Sequence, residues 1–158
     1  MNKQERLQHA FHLYQEAHGG VPHGTDVVVA WAVTHGILEL PVIDPAAVLA
    51  ADMAQALRNE HATDPATGKR YRRNHAVRIT RGGVQLALWV GMETAPREHM
   101  LAAFQQRRKQ IVGDCVQLKA DVDVYNSRNP DQEPIQTIFD FRDDVAEAEA
   151  ADDIEAAE

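Results

Sequence analysis

One cysteine, Cys115, in 158 residues excludes an internal disulfide framework and a cysteine-built zinc site. No run of eighteen apolar residues is present, so no membrane-crossing helix and no membrane partner are expected. The opening segment MNKQERLQHAF lacks the apolar stretch of a secretory signal, and a cytoplasmic protein is the expectation. There is no G-x-S-x-G, no P-loop lysine motif and no H-E-x-x-H. No catalytic residue, cofactor or metal is therefore expected, and the chain is not read as an enzyme. Histidine is in better supply, with eight residues. His9 and His12 at i, i+3, and His12 and Glu16 at i, i+4, would share one helix side. With no fourth ligand, they are read as surface residues.

Charge is unevenly placed. The formal net charge is −8, yet residues 143 to 158 alone hold eight acids and no base, so residues 1 to 142 balance to zero. That Ala/Asp/Glu-rich stretch has little to bury and is expected to be an acidic disordered tail. The opposite extreme is Lys69 to Arg81, KRYRRNHAVRITR, with six Lys/Arg and no acid in thirteen residues. A basic block in a chain that is acidic overall is the best candidate for a contact surface.

That block also predicts its own structure. Arg81-Gly82-Gly83-Val84 places a two-residue glycine loop between two β-like runs, a hairpin signal. With that loop, Thr80 pairs with Gln85, Ile79 with Leu86, Arg78 with Ala87, Val77 with Leu88 and Ala76 with Trp89. One face is then Val77, Ile79, Leu86, Leu88 and Val90, and His75 joins it as a partly buried core histidine. The other face is Ala76, Arg78, Thr80, Gln85, Ala87 and Trp89.

Elsewhere the pattern is helical. Leu7, Ala10, Phe11, Tyr14 and Ala17 have helical spacing, stopped by Gly19-Gly20 and Pro22. Thr25 or Asp26 would cap a second helix, Val27 to His35, closed by Gly36, although Val27-Val28-Val29 also suits a strand. Ile37 to Val42 reads as a short extended piece. Asp44-Pro45 starts a third helix running to about Asn59, with Val48, Leu49, Met53, Ala56 and Leu57 inward. Thr63-Asp64-Pro65 and Thr67-Gly68 are turns. Thr94-Ala95-Pro96 opens a long helix to about Asn126. Leu101, Phe104, Ile111, Cys115, Leu118, Val122 and Tyr125 form a heptad seam along it, broken by Arg108, and a homodimer through this arm is expected. Cys115 on that seam is read as an inert packed thiol. Arg107-Arg108-Lys109 is either a second basic patch or a solvated face. Ile135 to Phe141 reads as a final strand. The expected organisation is 1–92, a compact module; 93–129, the long helix; 130–142, the strand; and 143–158, the tail.

Three helices followed by a basic hairpin, over about residues 5 to 91, resemble winged helix-turn-helix proteins. The resemblance lies in the fold alone. It implies an α+β fold: a winged-helix-like helical module with a basic β-hairpin, then a long C-terminal helix and a short strand. It implies residues 44–59 as the helix facing nucleic acid and residues 69–90 as the wing. Arg58 is the lone base of that helix, so wing contacts to phosphate outweigh base reading.

The leading expectation is a nucleic-acid-binding accessory or regulatory protein. Its contacts would be Lys69, Arg70, Arg72, Arg73, Arg78, Arg81 and Trp89, with Arg70, Arg72 and Arg78 on one strand face. The alternative is a protein-interaction or scaffold subunit without a nucleic-acid role, dimerising through the long helix. In that case Trp89 is buried under the long helix or the last strand, and the arginines pair with the acidic tail.

Overall fold

A computed structural model describes residues 1–19 and 21–155. Gly20, read as part of the first helix stop, and Glu158, counted in the acidic tail, lie outside them. Among the described residues the fold is α+β, with five helices and two two-stranded antiparallel sheets. The chain divides into two compact units, Met1–Ala54 and Gln55–Glu158.

In the first unit, α1 (Lys3–His18) packs on α2 (Thr25–Thr34) through Ala10, Tyr14, Val28 and Ala32, all buried. Asn2 and Glu5 close a capping box at the start of α1. The Tyr14 ring stacks on His18, with centroids 4.1 Å apart, and meets Trp31 edge-on at 5.4 Å. His18 and His35 each turn a ring nitrogen onto a carbonyl of the last helical turn, Tyr14 at 3.0 Å and Trp31 at 2.8 Å. Both rings thus add a side-chain bond to a carbonyl in the last turn, and the Trp31 carbonyl also accepts from the His35 N–H at 3.0 Å.

Three expectations for this region are corrected. Thr25 and Asp26 lie inside α2, whose N-cap is Gly24 without a side-chain cap. The piece expected to be extended from Ile37 to Val42 begins in a bend, with the Ile37 and Leu38 N–H groups donating to the Ala32 carbonyl at 2.8 and 3.2 Å. α3 (Pro45–Asn59) starts as expected, with Asp44 Oδ1 accepting from the Ala46 N–H at 3.0 Å. Yet its apolar side is not inward: Val48, Leu49 and Met53 are 46%, 68% and 65% exposed. The helical period identifies an apolar stripe but not whether anything covers it.

The second unit takes in the last turn of α3 and all the strands. β3 (Asn74–Arg81) and β4 (Val84–Gly91) pair in the register that the glycine loop dictates, from Arg81↔Val84 through Ala76↔Trp89 to Asn74↔Gly91. Gly82 and Gly83 have φ of 57° and 78°, which a two-residue loop of this twist requires and side chains resist. The segment before it is not a continuation of the same strand. β1 (His61–Thr63) and β2 (Arg70–Arg72) form a separate sheet, and Arg73 bends the chain between β2 and β3. The β1–β2 turn is held by Asp64, whose Oδ2 accepts from the Thr67 N–H at 2.9 Å and hydroxyl at 2.6 Å. The Thr67 hydroxyl and amide hold the Asp64 carboxyl below the usual carboxylate range.

α4 (Arg97–Arg128) spans 32 residues, continuous through Gly113, and packs against β3. Its means of attachment is a carboxamide. The Arg78 N–H donates to Gln106 Oε1 at 2.8 Å, and Gln106 Nε2 donates to the Arg78 carbonyl at 2.9 Å. Arg78 and Ala87 are a non-hydrogen-bonded pair, so the Arg78 peptide groups face out of the hairpin. Gln106 thus acts as a one-residue strand on an edge that would otherwise be open. Asn126 repeats the device, accepting from the Ile135 N–H at 3.0 Å and donating to its carbonyl at 2.8 Å.

The expected strand over Ile135 to Phe141 is therefore corrected: residues 135–141 pair with no strand. Held at Ile135 by a side chain, they run irregularly, and Phe139 and Phe141 line an apolar groove with Ile111, Val112, Cys115 and Val116 of α4. The disordered tail is also corrected, since Arg142–Glu155 is a helix, α5. Alanine supplies its propensity, and Asp143 and Asp144 in the first turn oppose the helix dipole favourably.

Gln106→Ala should destabilise the second unit by about 1–2 kcal/mol, because two bonds to an exposed strand edge are lost while water replaces part of them. Urea unfolding followed by Trp89 emission in a Trp31→Phe background measures it. An unchanged midpoint would show that the clamp contributes nothing.

Candidate nucleic-acid interface

The outer hairpin face of β3–β4, α4 and the end of α3 enclose a cleft of about 490 Å³ in the second unit. Five bases line it: Arg58 from α3, Arg72 from β2, Arg78 from β3, and Arg107 and Lys109 from α4. Trp89 lies among them, half-buried. Ala76, Ala87 and Ala103 supply the apolar surface, and Asn74, Gln106 and Gln110 add carboxamides. Among the described residues, no carboxylate lines the cleft. The Arg58 guanidinium sits 5.5 Å from the Trp89 ring centroid, in cation–π range. Partial burial, and then the like charge of Arg72, holds the Arg107 guanidinium below its ordinary value. Like charges gathered without counter-charge are a standing electrostatic cost that an anion would relieve.

The predicted contact residues separate into three groups. Arg72, Arg78 and Trp89 line the cleft. Lys69 and Arg73 are in ion pairs: Lys69 with Glu149 of α5 at 2.8 Å, Arg73 with Glu60 at 3.4 Å and Glu93 at 3.5 Å. Arg70 and Arg81 are exposed but outside the cleft lining. Arg70 and Arg72 stand on β2, not on the strand that carries Arg78. One shared strand face for the three is thereby corrected. Arg107 and Lys109 of the second basic patch join the cleft, whereas Arg108 lines the apolar groove on another side of α4. The arrival of Arg58 has no local signal beyond its being the lone base of its helix.

His75 is buried beneath this site. Its Nε2–H donates to the Arg72 carbonyl at 2.9 Å, and its ring meets Phe104 edge-on at 5.4 Å. His99 Nε2 in turn donates to the His75 carbonyl at 3.0 Å. Burial, opposed by the Arg72 carbonyl bond and reinforced by the charges of Arg107, Arg72 and His99, lowers the His75 pKa. The folded state thus prefers the neutral ring, and the unfolded chain takes up a proton first as pH falls. Stability contributed by this preference is complete above the unfolded value near 6.5 and is lost as pH falls through it toward the folded value. The urea midpoint should therefore drop more between pH 7 and pH 5.5 for the parent than for His75→Phe. Equal drops would assign the acid sensitivity to other histidines.

Of the seam residues, Phe104 packs on His75, and Ile111 and Cys115 line the groove beside Phe139 and Phe141. Leu101, Phe104, Ile111, Leu118 and Tyr125 nonetheless remain 47–53% exposed. His9, His12 and Glu16 are exposed on α1, and no three His, Cys, Asp or Glu side chains converge on a metal-sized site among the described residues. No described helix is long and apolar enough to cross a membrane. No family model, curated protein or solved structure matches the chain.

Proposed function

We propose that the chain is a nucleic-acid-binding accessory or regulatory protein whose second unit grips phosphates through the basic hairpin. The observation that carries this reading is the cleft lined by five bases and an indole, with no carboxylate among the described residues. Arg and Lys neutralise phosphates with release of counterions, and an indole offers every base a stacking surface. On the winged-helix resemblance, the hairpin is the wing and Arg58 is the recognition helix's main contribution. Electrophoretic shift of generic DNA at two salt concentrations tests the reading: affinity should fall steeply with salt. Absence of binding at low salt would end it.

The acidic helix α5 acts as a weak competitor on this reading. Lys69, at the edge of the basic segment, has its pKa raised by the hydrogen bond and charge of Glu149, and Glu149 is lowered in return. Both side chains are largely exposed, so the contact is soft and screened by salt. Removing residues after Arg142 should raise low-salt affinity a few-fold and leave high-salt affinity unchanged. Equal affinity at low salt would show that α5 serves another purpose.

A second reading is favoured by a separate observation, the half-exposed apolar residues of α4. It makes the chain a homodimeric scaffold subunit. Dimerisation itself is compatible with the first reading, because the seam and the cleft use different α4 residues apart from their neighbourhood at Phe104.

A further inference from the structure

The cleft has a floor as well as charged walls. On the hairpin face that carries Arg78, the cross-strand neighbours are Ala76 opposite Trp89 and Ala87 opposite Arg78. Ala103 of α4, buried, completes the apolar surface. The same two strands place the larger Val77, Ile79, Leu86 and Leu88 on their other face, so the small residues gather on the cleft side. Alanine on the cleft side leaves a flat apolar recess beside a half-buried indole.

A recess of about 490 Å³ is of the size that takes one small planar ligand. It suits a single nucleotide and not a double helix, whose bases are already stacked and paired. The indole π-face is occupied by the Arg58 guanidinium, a cation that a base can replace or sandwich. Arg72, Arg78 and Arg107 line the same recess and supply cations for the phosphates flanking such a base, and Gln110 adds a carboxamide able to pair with a base edge.

We propose that this cleft takes single-stranded nucleic acid, with one unpaired base on the alanine floor against Trp89 and its neighbouring phosphates on Arg72, Arg78 and Arg107. The proposal rests on the nucleic-acid reading above and adds the strand form. The selectivity is for an exposed π-face, so it carries little sequence preference.

The test uses the full chain in a Trp31→Phe background, so that emission reports Trp89. The probes are an oligothymidylate of about twelve nucleotides and a duplex of the same length, a length within the site sizes usual for single-strand binders. An inorganic polyphosphate of matched charge is the third probe. The oligothymidylate should quench Trp89 and bind about tenfold or more tighter than the duplex at equal salt. Ala87→Leu adds no charge but fills the floor. It should weaken single-strand binding by about tenfold and leave duplex binding within about twofold. Should Ala87→Leu lose its far-UV spectrum, Trp89→Leu read by anisotropy of a labelled strand serves instead, with the same expected loss.

Duplex binding as tight as single-strand binding would overturn the proposal. So would an Ala87→Leu variant that binds the single strand like its parent. Equal quenching by polyphosphate would assign the site to phosphate chains without bases. Duplex binding that depends on Arg72 and Arg78 would keep the nucleic-acid reading and remove only the strand preference. Failure of both strand forms at low salt would remove both.

Discussion

Replacing Arg72 and Arg107 together by alanine should weaken single-strand binding by about 25-fold at about 0.1 M salt, and the slope of log affinity against log salt should fall by about 1.4. Both figures follow from one count. Each phosphate of a single strand releases about 0.7 of a counterion, so two lost contacts remove about 1.4 powers of the salt concentration. These two arginines are chosen because both line the cleft, from β2 and α4, and are close enough that the charge of Arg72 lowers the pKa of Arg107. Replacing Arg70 and Arg81 is the control. Both belong to the basic segment but stand outside the cleft, and their loss should change affinity by less than about threefold. The contrast separates a built site from general basic charge. Equal losses for the two pairs would mean that the segment acts as a diffuse patch.

How much of this site was legible follows from the range over which each feature is determined. The β3–β4 register is local: the Arg81-Gly82-Gly83-Val84 loop sets it, and alternation does the rest. The length of α4 is local too, because 32 residues follow Pro96 without an interior proline, and good helix formers dominate its first half. The cleft is not local. It needs Arg58, Arg78 and Arg107 in one place, from three elements, and no periodicity records that. The two carboxamide clamps, Gln106 on Arg78 and Asn126 on Ile135, are equally silent, since a surface glutamine on a helix looks the same with or without a strand edge to hold. They also explain the failed strand prediction. Residues 135–141 have the composition of a strand, but their anchor is Asn126 rather than a neighbouring strand, and composition carries no information about partners. α5 misled for a related reason. Low hydrophobicity signals little to bury, yet alanine with well-placed acids still favours a helix.

The largest expected effect on assembly comes from Leu118. It lies on α4, 49% exposed, outside the lining of the apolar groove that Phe139 and Phe141 cover. Ile111 and Cys115 do line that groove, so changes there would disturb the chain's own packing along with any interface. Leu118 is the better probe. In a two-fold dimer one substitution acts twice, and burying a leucine is worth about 1.5–3 kcal/mol, so Leu118→Glu should cost about 3–6 kcal/mol of association, roughly 10²- to 10⁴-fold in Kd. Charge order along α4 bears on how two copies would meet. Arg107, Arg108 and Lys109 fall in its first half and Asp114, Asp121 and Asp123 in its second. A parallel pair would set like charges side by side, whereas an antiparallel pair sets opposite ones together, a preference that salt would weaken. Sedimentation equilibrium should find the parent dimeric at micromolar concentration and Leu118→Glu monomeric, with the Trp89 emission of both unchanged. A parent chain that stays monomeric at high micromolar concentration would remove the dimer, and the half-exposed seam of Leu101, Leu118 and Tyr125 would then require a different protein to cover it.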